Sequence, residues 1–196
     1  MAVLIISILL AAALVASLIW TNPKGAPWVP SSMSAVHQML ELAEIKPDEL
    51  VYDLGCGDGR IVVTAAREYQ ARAVGIELDP LRWLWCQLLI TALGLRDRVK
   101  IQFGDLFKQD LSEADVITCY LLPETTRRLE NKLLRELKPD TRVVSNTFLF
   151  PGVKETAQNG KTRLYLFSPE HTMGAFIKDQ LEQSAGESDK EKGRQP

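Results

Sequence analysis

The chain has 196 residues, 46% of them hydrophobic, with 23 Lys and Arg against 25 Asp and Glu, a formal net charge of -2. The absence of a Lys/Arg block excludes the basic footprint of a sequence-independent nucleic-acid binder, so no nucleic-acid partner is expected, although an RNA-modifying enzyme with a small basic patch stays compatible. Cys56, Cys86 and Cys119 form neither a CxxC pair nor a zinc spacing, which predicts buried thiols in a reducing compartment and no metal.

Residues 1–20, MAVLIISILLAAALVASLIW, carry no charged side chain. As a helix they would reach roughly 30 Å, about one hydrocarbon core. A cleaved signal peptide ending at Ala16 is the competing reading, but no Lys or Arg precedes the apolar run. Lys24 follows that run, and Trp20 and Trp28 suit an interface. The expectation is therefore a single-pass bilayer anchor over residues 1–20 with the remaining chain on the cytosolic side.

Residues 21–32 form a Pro-rich connector ending in two candidate helix N-caps, Ser31 and Ser32. Val36, Met39, Leu40 and Ala43 recur at helical spacing and predict an amphipathic helix to about Ile45. LVYDLG then reads as a buried strand, GRIVVTAAREY as a helix, and RAVGIEL as a second strand. Pro80 opens a helix over PLRWLWCQLLITALG, closed by Gly94. VKIQFGD is a strand, followed by a short helical turn and the strand ADVITCYL. The helix ETTRRLENKLLREL and the strand TRVVSNTFLF come next, and NGK turns a hairpin between VKETAQ and TRLYLFS. Alternating strands and helices predict a doubly wound, mainly parallel α/β sheet. One domain over residues 33–177 and a disordered polar tail over 178–196 complete the expected organisation.

The loop DLGCGDGR follows the first strand and feeds a helix, the place where a parallel sheet binds ligands. Its glycines permit positive φ and close backbone approach, and the helix start offers free N–H groups. A plain strand-to-helix turn would use the same residues. A dinucleotide fingerprint would need a small residue where Arg60 stands, and a P-loop would need Gly-Lys-Ser/Thr. Asp53, two residues ahead of Gly55, suits a ligand with positive groups, such as the ammonium and sulfonium of S-adenosylmethionine. Glu77 ends the second strand about twenty residues after the loop, where an acid accepts from ribose hydroxyls. Asp105 ends the third strand, within reach of an adenine amino group. Three acids on successive strand tips beside one glycine loop point to a bound nucleoside.

On DLGCGDG, GIELDP and GDLF, the chain resembles the class I S-adenosylmethionine-dependent methyltransferases across residues 48–168. The resemblance implies that Asp53, Gly55, Cys56, Gly57, Glu77, Asp105 and Leu106 line the cofactor site, and that the hairpin completes a seven-stranded sheet. APWVPSS, YLLPE, KLLRELKP and TRVVSNTFLFPG, with the apolar N-terminus, are similar to a narrower group. These are the small membrane-anchored protein-lysine methyltransferases typified by the adenine-nucleotide-translocase and ATP-synthase c-subunit enzymes. The resemblance implies a lysine in a membrane or membrane-associated protein as acceptor. Tyr120 is the candidate catalytic, pocket-lining residue, unless it only caps its strand.

Two alternatives stay open: a small amphipathic acceptor such as a quinone or lipid precursor, roofed by APWVPSS, and a catalytically silent cofactor-binding scaffold. His37 and His171 read as structural histidines, and Arg127, Arg128, Lys132 and Arg135 as a solvated helix face. Trp83 and Trp85 are expected to be buried between sheet and neighbours, with contact to a bilayer surface as the sharper alternative.

Overall fold

The structure is a computed structural model that describes residues 29–167 and, ahead of them, Met1, Ile5 and Ser7. Most of the proposed anchor and connector, His171 and the tail lie outside the described residues. Among the described residues, no helix is long and apolar enough to cross a membrane.

Ser32 starts helix α1 (Met33–Leu42), its hydroxyl accepting the Ala35 N–H at 3.1 Å, as expected of an N-cap serine. The helix ends three residues earlier than predicted, because Ala43 caps it and Glu44 adopts a positive φ of 48°. Strands β1 (Leu50–Leu54), β2 (Arg72–Glu77), β3 (Val99–Phe103) and β4 (Val116–Cys119) alternate with helices α2 (Arg60–Glu68) and α3 (Pro80–Ala92). A 3-10 turn at Leu106–Lys108 is the short helical turn expected after β3. Helix α4 (Pro123–Glu136) then leads to β5 (Arg142–Asn146) and the hairpin of β6 (Glu155–Asn159) and β7 (Thr162–Leu166).

The seven strands form one sheet in the order β3-β2-β1-β4-β5-β7-β6, parallel except where β7 pairs with β5 and β6. Its period of two sorts the core. Val51, Ala73, Ile101 and Val116 meet α1, α2 and α3 on one face, while Leu54, Ile76, Ile117 and Val143 meet α4 on the other. The strand order reverses between β1 and β4, which opens a crevice at their carboxyl ends.

Three expectations are corrected. Strand β5 stops at Asn146 instead of running to Phe150: Thr147 turns to a φ of 72° and releases Phe148 from the sheet. Trp85 is exposed, not buried, because Cys86 and Ile90 supply the sheet-facing side of α3, whereas Trp83 is half-buried and donates its ring N–H to the Ile101 carbonyl at 3.3 Å. Lys132 is buried, its ammonium donating to the Gln109 carbonyl at 2.7 Å and to Glu136 at 2.6 Å. His37 pairs with Glu68 at 3.1 Å, and all three cysteines are buried and free.

Candidate cofactor and acceptor site

A cavity of about 320 Å³ opens at the carboxyl ends of β1, β2 and β4, within the ~300–1,000 Å³ typical of small-molecule sites. One wall is the glycine loop. Gly55, Gly57 and Gly59 take positive φ values of 82°, 57° and 83°, which let the chain double back from β1 into α2. The N–H groups of Gly55 and Cys56 both donate to the Ile76 carbonyl, at 2.9 and 3.0 Å, and fasten the loop to β2. Beneath it lies Gly75, where a Cβ would come within 2.7 Å of the Cys56 sulfur. Cys56 borders the cavity, but its thiol turns inward toward Gly75 and Cys86.

Glu77 stands at the tip of β2 with each carboxylate oxygen already oriented. Oε2 accepts the Gly57 N–H and Oε1 the Asp79 N–H, both at 2.8 Å. A carboxylate has about four acceptor positions, so two remain for a ligand. Asp79 is fully buried, caps α3 through the N–H groups of Leu81 and Arg82 at 2.9 Å, and approaches the Arg82 guanidinium at 3.4 Å. Burial pushes the Glu77 carboxyl up, against the hydrogen bonds from Asp79 and Gly57 and the charge of Arg82.

Asp53 lies at the floor, accepting from the Thr118 hydroxyl of neighbouring β4 at 2.9 Å. Burial pushes its carboxyl up to about 7, opposed by the Thr118 hydrogen bond and reinforced by Glu77. Asp105 is half-buried at the cavity edge, where one oxygen caps the 3-10 turn through the Phe107 N–H at 2.9 Å. Leu106 and Phe107 line the cavity beside it, and Arg128 covers the Phe107 ring at 4.4 Å.

The tip of β4 supplies a different wall. Tyr120 is half-buried and stacks on Phe148, with ring centroids 6.1 Å apart and planes 18° from parallel. Both rings line the cavity, as do Leu121 and Leu122. At the mouth, Val29, Pro30 and Ser31 close in from the N-terminal side, and the Arg60 guanidinium donates to the Ser31 carbonyl and to Asp58. The sequence reading missed Asp79, Arg82, Thr118 and Phe148. The Asp-Pro pair at the start of α3 was a signal for Asp79; the others depend on pairings between distant strands and loops.

These residues fit S-adenosylmethionine. An ionisable acid on the floor suits an ammonium, and Glu77 and Asp105 retain oxygens for hydroxyl and amino donors. The expected free N–H groups are not found at Gly55, Cys56 and Gly57, which donate to Ile76 and Glu77; what the loop offers there is close approach past residues 55 and 57, which carry no side chain. Leu106 and Phe107 give a base an apolar slot.

Residues 53–157 match the family described as the ANTKMT methyltransferase domain. The chain is 44% identical over 127 residues to a protein-lysine N-methyltransferase of Saccharolobus islandicus, covering 64% of this chain and 79% of that protein. It is 35% identical over 137 residues to the adenine nucleotide translocase lysine N-methyltransferase of Mus musculus, 69% of this chain but 58% of that protein. A crystal structure described as an RNA methyltransferase from Salinibacter ruber, in complex with S-adenosyl-L-homocysteine, superposes with a TM-score of 0.67 at 40% identity, covering 72% of this chain and 95% of that one. The cofactor is S-adenosylmethionine, and the chain belongs to the ANTKMT methyltransferase domain family.

Proposed function

We propose that this enzyme methylates the side-chain amine of lysine in a membrane or membrane-associated protein, held near its substrates by residues 1–20 as a bilayer anchor with the catalytic domain on the cytosolic side. The lysine acceptor is supported by the relatives named for that activity in an archaeon and in mouse. The observation that carries it is the wall made by Tyr120, Leu121, Leu122 and Phe148. It offers an amine an aromatic, apolar slot and no carboxylate of its own.

Such a slot has a chemical purpose. A lysine of ordinary pKa near 10.4 costs about 4.6 kcal/mol to deprotonate at pH 7. Desolvation by Tyr120, Phe148 and the two leucines favours the neutral amine and supplies part of that. The faces of the same rings hold the remaining cationic form near the slot. The proton leaves to water before the acceptor seats fully. In the cofactor cleft, Asp53 would hold the ammonium, Glu77 the ribose and Asp105 the adenine amino group, with the glycine loop letting the amino-acid end pass close to the main chain. Bound there, the cofactor supplies a methyl group on a positively charged sulfur, whose departure leaves a neutral thioether. Fixed orientation of the two partners supplies much of the rate.

An RNA acceptor is the competing reading, because the Salinibacter ruber protein is described as an RNA methyltransferase. The mouth argues against it here. Val29 and Leu122 of its lining are exposed, and the two arginines that line the cavity are matched by acids, Arg60 by Asp58 and Arg82 by Asp79 and Glu77. Phosphate contacts need cations free to neutralise them. Incubating the full chain with labelled cofactor and membranes, then separating protein, lipid and RNA, tests the proposal. Label in the protein fraction, reduced when residues 1–20 are removed, is expected; label in lipid or RNA alone overturns it.

A further inference from the structure

Helix α3 turns a second apolar stripe to solvent. Leu81, Leu84, Trp85 and Leu88 follow one another at i, i+3, i+4 and i+7, and are 41, 48, 56 and 61% exposed. Packing on the sheet uses other residues, Cys86 and Ile90. Phe103, 54% exposed at the tip of β3, is set edge-on to Trp83 at 5.9 Å, on the sheet-facing side of α3 and apart from this stripe. One of the thirteen residues of α3 is charged, Arg82, and it turns inward to Glu77 and Asp79. Helix α4, on the opposite face of the sheet, carries seven charged residues in fourteen. An uncharged leucine-tryptophan stripe this continuous marks an interaction surface.

Its position selects the occupant. Arg82, next to Leu81, lines the cofactor cavity, as does Val29, where the chain enters the continuously described structure. The stripe begins, then, on the edge of the molecule from which the connector departs. Residues 21–28 can extend at most about 28 Å, and the twenty residues before them carry no charge. A tryptophan among leucines, with no charge between them, matches the boundary between headgroups and acyl chains.

We propose that α3 lies on the bilayer surface through Leu81, Leu84, Trp85 and Leu88, turning the cavity mouth toward acceptors at the membrane. This rests on the bilayer-anchor reading above. A second copy of the chain is the occupant to be distinguished from lipid.

The test uses the full chain reconstituted in vesicles of phosphatidylcholine and phosphatidylglycerol. Nitroxides are attached in turn through Leu88→Cys and, as a control on exposed α4, Asn131→Cys; the native thiols are buried. Collision with dissolved oxygen and with a water-soluble nickel chelate is measured. The proposal expects the label at position 88 to favour oxygen and the label at 131 to favour nickel. Position 88 open to nickel on vesicle-bound protein overturns the proposal alone. Position 88 shielded from both quenchers assigns the stripe to protein contact and also overturns it. Protein that fails to float with the vesicles removes the anchor reading together with this one. A second measurement pairs Leu84→Ser with Leu88→Ser: transfer to a bilayer-embedded acceptor falls about tenfold, while transfer to a soluble lysine peptide is unchanged. Equal loss on both acceptors contradicts the proposal.

Discussion

Glu77 accepts the backbone N–H of Gly57 at 2.8 Å, across twenty residues of chain, and so ties the glycine loop to the acid beside it. One carboxylate thus both shapes the loop and faces the cleft. Glu77→Ala removes two backbone hydrogen bonds and, in the proposed cofactor pose, the ribose contacts as well. Bonds to a charged partner are worth about 1.5–3 kcal/mol each, so the Kd for S-adenosylhomocysteine should rise about 100-fold or more. Glu77→Gln, which keeps one acceptor oxygen, should fall between the two. Titration calorimetry measures both; unchanged affinity in Glu77→Ala would remove Glu77 from the site.

Asp53 predicts a pH dependence. Burial raises its carboxyl to about 7, above its value in the unfolded chain, so the empty protein keeps a proton that the unfolded chain loses. Stability from this group is full below about pH 4 and is lost as pH rises toward 7, a change of roughly 4 kcal/mol. Cofactor binding runs the other way, because the ammonium needs the ionised acid. Affinity should climb from pH 5.5 to 7.5 and level off, with proton release on binding. Asp53→Asn should flatten both profiles, read by thermal melts and by calorimetry in two buffers.

In the proposed function the Tyr120–Phe148 pair, which stacks at the cavity wall, serves the acceptor and not the cofactor. Tyr120→Ala and Phe148→Ala should each lower kcat/KM for a lysine substrate by about 10- to 100-fold, with cofactor Kd changed less than about threefold. Equilibrium binding and initial rates on the same preparations separate the two effects. An equal loss in both would move these rings to the cofactor.

Gly75→Ala should act at a distance. The added methyl would meet the Cys56 sulfur at 2.7 Å and Ile101 at 3.0 Å, in a strand that the loop sits on. Overpacking of this kind costs about 1–3 kcal/mol, and the shifted loop should weaken cofactor binding as well. Cys56→Ala in the same chain should recover part of the stability, as thermal unfolding would show.

Much of this architecture was legible in the residues. The period-two apolar runs, Pro80 and Gly94 around α3, and Asn-Gly in the hairpin each encode their structure locally. So did the three acids, since a residue ending a parallel strand stands at the crevice. What was hidden is what distant segments do to one another. Thr118 meets Asp53 only because β4 pairs with β1, and Lys132 is buried only because the Gln109 carbonyl waits for it. Phe148 read as strand until the turn at Thr147 released it. In α3 both stripes are apolar, so composition alone could not say whether Cys86 or Trp85 faced the sheet.

Site mapping by mass spectrometry tests the central claim most directly. Membranes from cells lacking this gene are incubated with cofactor and either the full chain or its Glu77→Ala variant, and their proteins are digested. The account predicts methyl increments on lysine side chains of membrane proteins with the intact chain, and none with the variant. Unmodified lysines beside methylated RNA or lipid would contradict it.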